Sequence, residues 1–379
     1  MNPTRENEKK GLKPFEKKLV GVVIAIVVVI AGFSIFYELE SRKPSGNVMV
    51  IYTYGSFMEY GSHPNQTYQK IFGTFEKEYG VTIDVEKPQL GILQTLEAQK
   101  GNPQANIVIG LTNMNGIQAV KDGLLVKYTP PADKFINSTL LSEMGYASQY
   151  ITPYEYSYLG IDYNKTAFTS GLFQPTFHDL LSSRNISKLI VENPTTSNTG
   201  EGFMLWEIAY YEYILHENWT SWWNSSLPSL NKYQNITTDW SSAFSKFESS
   251  SSASLLISYL TDPAYNNYFG YGNDINSTVT VHDAKYYGWR TIYGIGIVNG
   301  TGNDSLEEKF VNYFLGSLVQ NEIPTNEWMY PANSTISLPS CYNVTMNQNE
   351  IIPLNNYIDA EMIYDNIQIW ETEWLAIPQ

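Results

Sequence analysis

Val48-Met49-Val50-Ile51-Tyr52-Thr53-Tyr54-Gly55-Ser56-Phe57 opens the folded part of this chain. Its first seven residues are mostly β-branched, aromatic or apolar, which predicts a strand. Gln66 to Tyr79 has the apolar spacing of a helix, and Gly80 follows where a C-cap glycine belongs. Val81 to Val85 then reads as a second strand, Gly91 to Gln99 as a helix, Ala105 to Leu111 as a continuous apolar strand, and Asn115 to Asp122 as a short helix ended by Gly123. Strands alternating with helices imply a mostly parallel sheet covered on both faces, an α/β fold. A ligand in such a fold lies beyond the C-terminal ends of strands. Here that means Thr53 to Tyr60 and Thr112 to Asn115.

The pattern restarts after Tyr150 to Tyr163, a strand-like crossing. Thr176 to Leu181 reads as a short helix, Lys188 to Val191 as a strand, Gly200 to His216 and Trp240 to Ser249 as helices, and Ala253 to Tyr259 as a strand. Tyr287 to Val298 is strand-like, Ser305 to Val319 helical, and Asn355 to Trp374 closes the chain as a helix or two. A chain of 379 residues is long for one core, so two lobes are the expectation.

The first 46 residues differ from the rest. Five lysines between Lys9 and Lys18 precede Leu19 to Tyr37, nineteen residues without a charge. That run is just long enough to cross a bilayer as a helix. Its basic flank places residues 1–18 in the cytoplasm and everything after Tyr37 outside. A cleaved signal is the alternative reading, although no small-x-small site follows. Twelve Asn-x-Ser/Thr sequons, from Asn65 to Asn343, fit an exposed extracellular surface. Some of them arise by chance in a chain rich in Asn, Ser and Thr. Cys341 is alone, so no intramolecular disulfide forms.

Residues 1–46 carry eight Lys/Arg against five Asp/Glu, which leaves 15 against 33 beyond them, a net of −18. Such a domain disfavours nucleic acid and anionic ligands and steers cations. No catalytic constellation stands out. His63, His178, His216 and His282 are scattered without metal-ligand spacing, and there is no phosphate loop or nucleophile elbow. The reading is therefore of a binder and not an enzyme, with no cofactor.

What recurs is aromatic and hydroxyl residues at strand ends. Tyr52 to Phe57 closes the first strand, Asn193 to Gly200 leads into a long helix, and Ser258 to Tyr265 ends another strand at a proline turn. Ile323-Pro324-Thr325-Asn326-Glu327-Trp328-Met329-Tyr330-Pro331 sets a Trp and a Tyr between prolines, an ordered loop that is either core packing or a rigid aromatic face. The Asn193 to Gly200 turn either caps its helix or presents N–H groups and hydroxyls to an anion.

In order and wording these segments resemble the thiamine-binding receptors of ABC importers, from about Val50 to Trp374. The resemblance rests on Tyr52 to Phe57, Gly110-Leu111, Pro153 to Tyr158, Pro194 to Gly200, Ser258 to Tyr265 and Ile323 to Pro331. It implies a two-lobed periplasmic-binding-protein fold with the ligand cleft between lobes. Lobe 1 would take about residues 47–153 plus 266–322, and lobe 2 about 154–265 plus 323–379. It implies that Tyr54 and Trp328 stack around the vitamin, that Tyr265 completes the aromatic wall, and that Ser56 and Tyr60 join the ligand-binding set. Ser197, Trp240 and Tyr259 would face the phosphate of a thiamine phosphate, and a membrane permease would be the partner. The chain departs from the family at Thr112, where an Asp is common, and at Lys87-Pro88-Gln89, which lacks an expected acid. Glu59 or Glu155 stands as the substitute carboxylate. Within the superfamily, an Fe(III) or polyamine receptor is the alternative. Outside it, a surface hydrolase or an adhesive glycoprotein would share the acidic, sequon-rich character.

Overall fold

The computed structural model describes residues 48–168, 173–249, 253–271, 274–302 and 304–377. The basic tail and apolar run within residues 1–46 lie outside the described residues. Among those described, no helix is long and apolar enough to cross a membrane.

β1 (Val48–Tyr52) pairs in parallel with β2 (Thr82–Glu86) and β3 (Ile107–Thr112), the β-α-β start that the sequence predicts. The intervening helix Pro64–Tyr79 starts two residues early because Pro64 sits in its first turn, where the missing N–H costs nothing. Gly80 ends it in the left-handed conformation. β3 is buried along its whole length, which accounts for its unbroken apolar run.

The sheet departs from the mostly parallel expectation at its centre. β4 (Ile151–Asn164) is one strand of 14 residues. Its first half pairs antiparallel with β11 (Arg290–Ile297) and its second half with β7 (Leu255–Tyr259) and β8 (Ile275–Thr278). Parallel pairing resumes in the second lobe, where β5 (Leu189–Glu192) lies between β6 (Ile236–Thr237) and β7. The strand order is β2-β1-β3-β11-β4-β7-β5-β6, and the short β12 (Tyr330–Pro331) also pairs with β4. A separate small sheet joins β9 (Thr280–His282), β10 (Lys285–Gly288) and β13 (Ile351–Pro353). The result is a mixed α/β sheet.

Two cores flank β4. Ile51, Phe57, Ile107, Ile109, Tyr154, Ile295, Phe314 and Met329 belong to the first. Tyr158, Leu159, Trp206, Trp222, Trp223, Trp289 and Trp374 belong to the second. The core therefore changes along one strand, between Tyr154 and Tyr158. Val279, Tyr287 and Trp289 pack in the second core, so the chain returns to the first lobe at β11. The sequence reading places that return at residue 266, because nothing local distinguishes β8 to β10 from β11.

The helices Thr220–Lys232 and Asp262–Phe269 were not expected. Pro228 inside the first and Pro263 at the start of the second disguise their periodicity. Three sequons fall at buried asparagines: Asn185, Asn235 and Asn333 donate to the carbonyls of Asp179, Ser187 and Leu315. Chance accounts for these, since a buried amide cannot carry a glycan.

Candidate functional site

A cleft of about 830 Å³ opens between the two cores, lined from both sides. Tyr54, Ser56, Tyr60, Ser197, Trp240, Tyr259, Tyr265 and Trp328 all line it. Most of them stand at or just beyond the end of an element, Tyr265 lies within the helix Asp262–Phe269, and the tertiary fold brings them to one cavity.

Tyr54 follows β1, and its ring lies against the backbone of β3. Gly110 allows this: it has φ +114, and a Cβ there would stand 2.5 Å from Tyr54 Cδ1. The Gly110-Leu111 pair thus has a steric purpose that its sequence alone conceals. The Tyr54 ring lies 5.4 Å from that of Tyr293. Its hydroxyl reaches Glu155 Oε1 at 2.8 Å, Glu327 Oε2 at 2.7 Å and the Tyr154 hydroxyl at 3.0 Å.

Trp328 has φ +57, left-handed backbone that a bulky residue rarely adopts. Strain of this kind, about 1–3 kcal/mol, persists where the surroundings over-determine it. Here the indole N–H donates to the Tyr60 carbonyl at 3.0 Å and the ring meets Tyr265 edge-on at 5.3 Å. Trp328 also packs with Tyr330 and Tyr342 while lining the cleft, so its loop is packed as core on one side. That loop is a short helix, Ile323–Asn326, followed by β12.

Trp240 opens the helix Trp240–Ser249 and stacks on Phe244 one turn later, centroids 4.9 Å apart. Its indole N–H donates to Ser258 Oγ at 2.8 Å, which fixes the ring at the cleft wall. Tyr60 faces it from the first lobe. Tyr259 bridges the lobes, its hydroxyl 2.7 Å from that of Tyr293 and 3.3 Å from Thr199 Oγ1.

Ser197 is the N-cap of the helix Asn198–Ala209, accepting from the N–H groups of Thr199 and Gly200. Its own proton goes to the buried Glu192 carboxylate. Donor and acceptors of this hydroxyl are therefore already used. Burial pushes the Glu192 carboxyl up to about 8.

Seven carboxylic side chains line the cleft and, among the described residues, no Lys, Arg or His does. Of the two substitute acids, Glu59 is turned to Lys87 in an exposed ion pair, whereas Glu155 is buried at the cleft. Glu327 was missed in the sequence, though it sits within the aromatic motif itself. Its Oε1 accepts from the Met58 N–H, a contact between residues 269 apart that no local pattern announces. No group of three or more His, Cys, Asp or Glu suited to a metal ion occurs among the described residues.

No protein-family model matches the chain. Two curated relatives are each named thiamine-binding periplasmic protein. The one from Brucella suis biovar 1 (strain 1330) is 25% identical over 351 residues, covering 91% of this chain and 96% of the relative. The one from Escherichia coli (strain K12) is 25% identical over 341 residues, covering 86% and 92%. A solved structure described as periplasmic thiamin binding protein superposes with a TM-score of 0.73 at 23% identity, covering 88% of this chain and 96% of that one. In sequence this chain is a relative of the thiamine-binding periplasmic proteins, and it has the two-lobed periplasmic-binding-protein fold.

Proposed function

We propose that this chain is the extracellular solute-binding receptor of an ABC importer and that it captures thiamine or a thiamine phosphate. The observation that carries the reading is the convergence of eight motif residues, scattered from Tyr54 to Trp328, on one interlobe cleft. The names of the relatives point to the same ligand. Thiamine carries a permanent thiazolium charge and an aminopyrimidine ring, both flat. An aromatic wall attracts the first at roughly 0.5–2 kcal/mol per contact. The surplus of acids over bases in the cleft adds a favourable field. Binding and release to a membrane permease, without chemistry, is the activity this site suits. The apolar run at residues 19–37 would anchor the domain outside the cell.

Isothermal calorimetry of the purified chain with thiamine, thiamine monophosphate, spermidine and Fe(III) tests the reading. Saturable binding of thiamine or its phosphate, with spermidine weak, is the expected result. A visible tyrosinate band on adding Fe(III), with no thiamine heat, would replace it with an iron receptor. Burial works against that alternative by raising the phenols of Tyr54, Tyr259 and Tyr293, since iron takes the phenolate.

A further inference from the structure

Glu155 comes from β4 and Glu327 from the turn after residue 326, yet both hydrogen-bond the single hydroxyl of Tyr54. A hydroxyl has one proton to give. It donates to one carboxyl, so the other must donate to it, and the pair shares a proton. Burial acts the same way, raising both carboxyls above their ordinary range, and the charge of Glu327 raises Glu155 further. A second observation singles out Glu155. It is 1% exposed, it lines the cleft, and its Oε2 has no hydrogen-bond partner among the described residues. A buried carboxyl oxygen left unpaired is costly unless something supplies a donor. No Lys, Arg or His of the cleft wall does so.

The chemistry that fits is a flat ring bearing an N–H donor beside a basic ring nitrogen. The amine satisfies the free oxygen, and the ring nitrogen takes the proton that the pair shares. We propose that Glu155 and Glu327, joined by Tyr54, form the subsite for the aminopyrimidine of thiamine and make this cleft select amino rings over oxo rings. The proposal rests on the thiamine reading above.

The test is calorimetry with thiamine and with oxythiamine, in which an oxo group replaces the ring amine. The native chain should bind thiamine more tightly by about tenfold or more, the loss of one charge-assisted hydrogen bond. Glu155→Gln should weaken thiamine by about tenfold and leave oxythiamine unchanged or tighter, because the new amide can donate to the oxo group. Equal affinities in the native chain would overturn the subsite, as would a variant that keeps the native ratio; in both cases thiamine binding itself still stands. A native chain that binds neither compound removes the thiamine reading and this subsite with it. Should Glu155→Gln fail to fold, Glu327→Gln is read by the same ratio, with the same collapse expected.

Discussion

Tyr60 and Trp240 meet edge to face across the cleft, ring centroids 5.0 Å apart and planes at 86°. The Tyr60 hydroxyl also donates to Ser241 Oγ at 3.3 Å. One ring belongs to the loop after β1 and the other begins a helix of the second lobe, so this pair joins the lobes at the rim. Edge-to-face pairs contribute about 0.5–1.5 kcal/mol beyond their burial. A double-mutant cycle of Tyr60→Ala and Trp240→Ala, read in thiamine affinity, should show a coupling of about that size. Strictly additive losses would mean that the rings do not act together on the bound state.

Trp328 is 5% exposed, so Trp328→Ala should cost both stability, about 3–5 kcal/mol, and affinity. Trp328→Phe separates the two. It keeps most of the apolar volume and loses the indole and its bond to the Tyr60 carbonyl. Its melting temperature should move little while thiamine affinity falls about tenfold. A Phe variant with native affinity would make Trp328 a packing residue only.

Ser197→Ala removes an N-cap and the partner of a buried carboxyl. It should lower stability by about 1 kcal/mol, measured by urea unfolding. Because the hydroxyl is spent within the protein, thiamine and thiamine monophosphate should weaken equally. A clearly larger loss for the monophosphate would show the hydroxyl turned toward a phosphate after all.

Buried acids make stability depend on pH. Glu192 is pushed to about 8, and Glu155, Glu207 and Asp162 are raised well above the usual carboxylate range by burial. A raised carboxyl holds its proton in the folded chain and loses it in the unfolded one between the two values. Their contribution to stability is therefore fully present at and below the unfolded value and declines as pH rises toward the folded one, for Glu192 from about 4.5 to about 8. Thermal melts should lose roughly 5 °C or more between pH 5 and pH 8. Glu192→Gln should flatten part of the slope; a melt that rises with pH would contradict the assignment.

Sequence alone determined the elements whose signals are local. The β-α-β start, the Gly80 cap and the helices without an internal proline, such as Pro64–Tyr79 and Trp240–Ser249, follow from periodicity and punctuation within a dozen residues. The aromatic motifs were legible too, because prolines and turn residues frame them. The pairing of β4 was not, since one strand serving two lobes is a matter of partners as remote in sequence as Ile151 from Gly296 and Glu155 from Pro331. Nor was the role of Gly110, which exists only because the Tyr54 ring lies against it. Glu327 shows the same limit. Its neighbours in sequence say nothing of Tyr54 and Met58, and its carboxyl acquires meaning only when folding removes it from water beside Glu155. Local free energies are written along the chain; burial and the meeting of charges arise only from the packed whole.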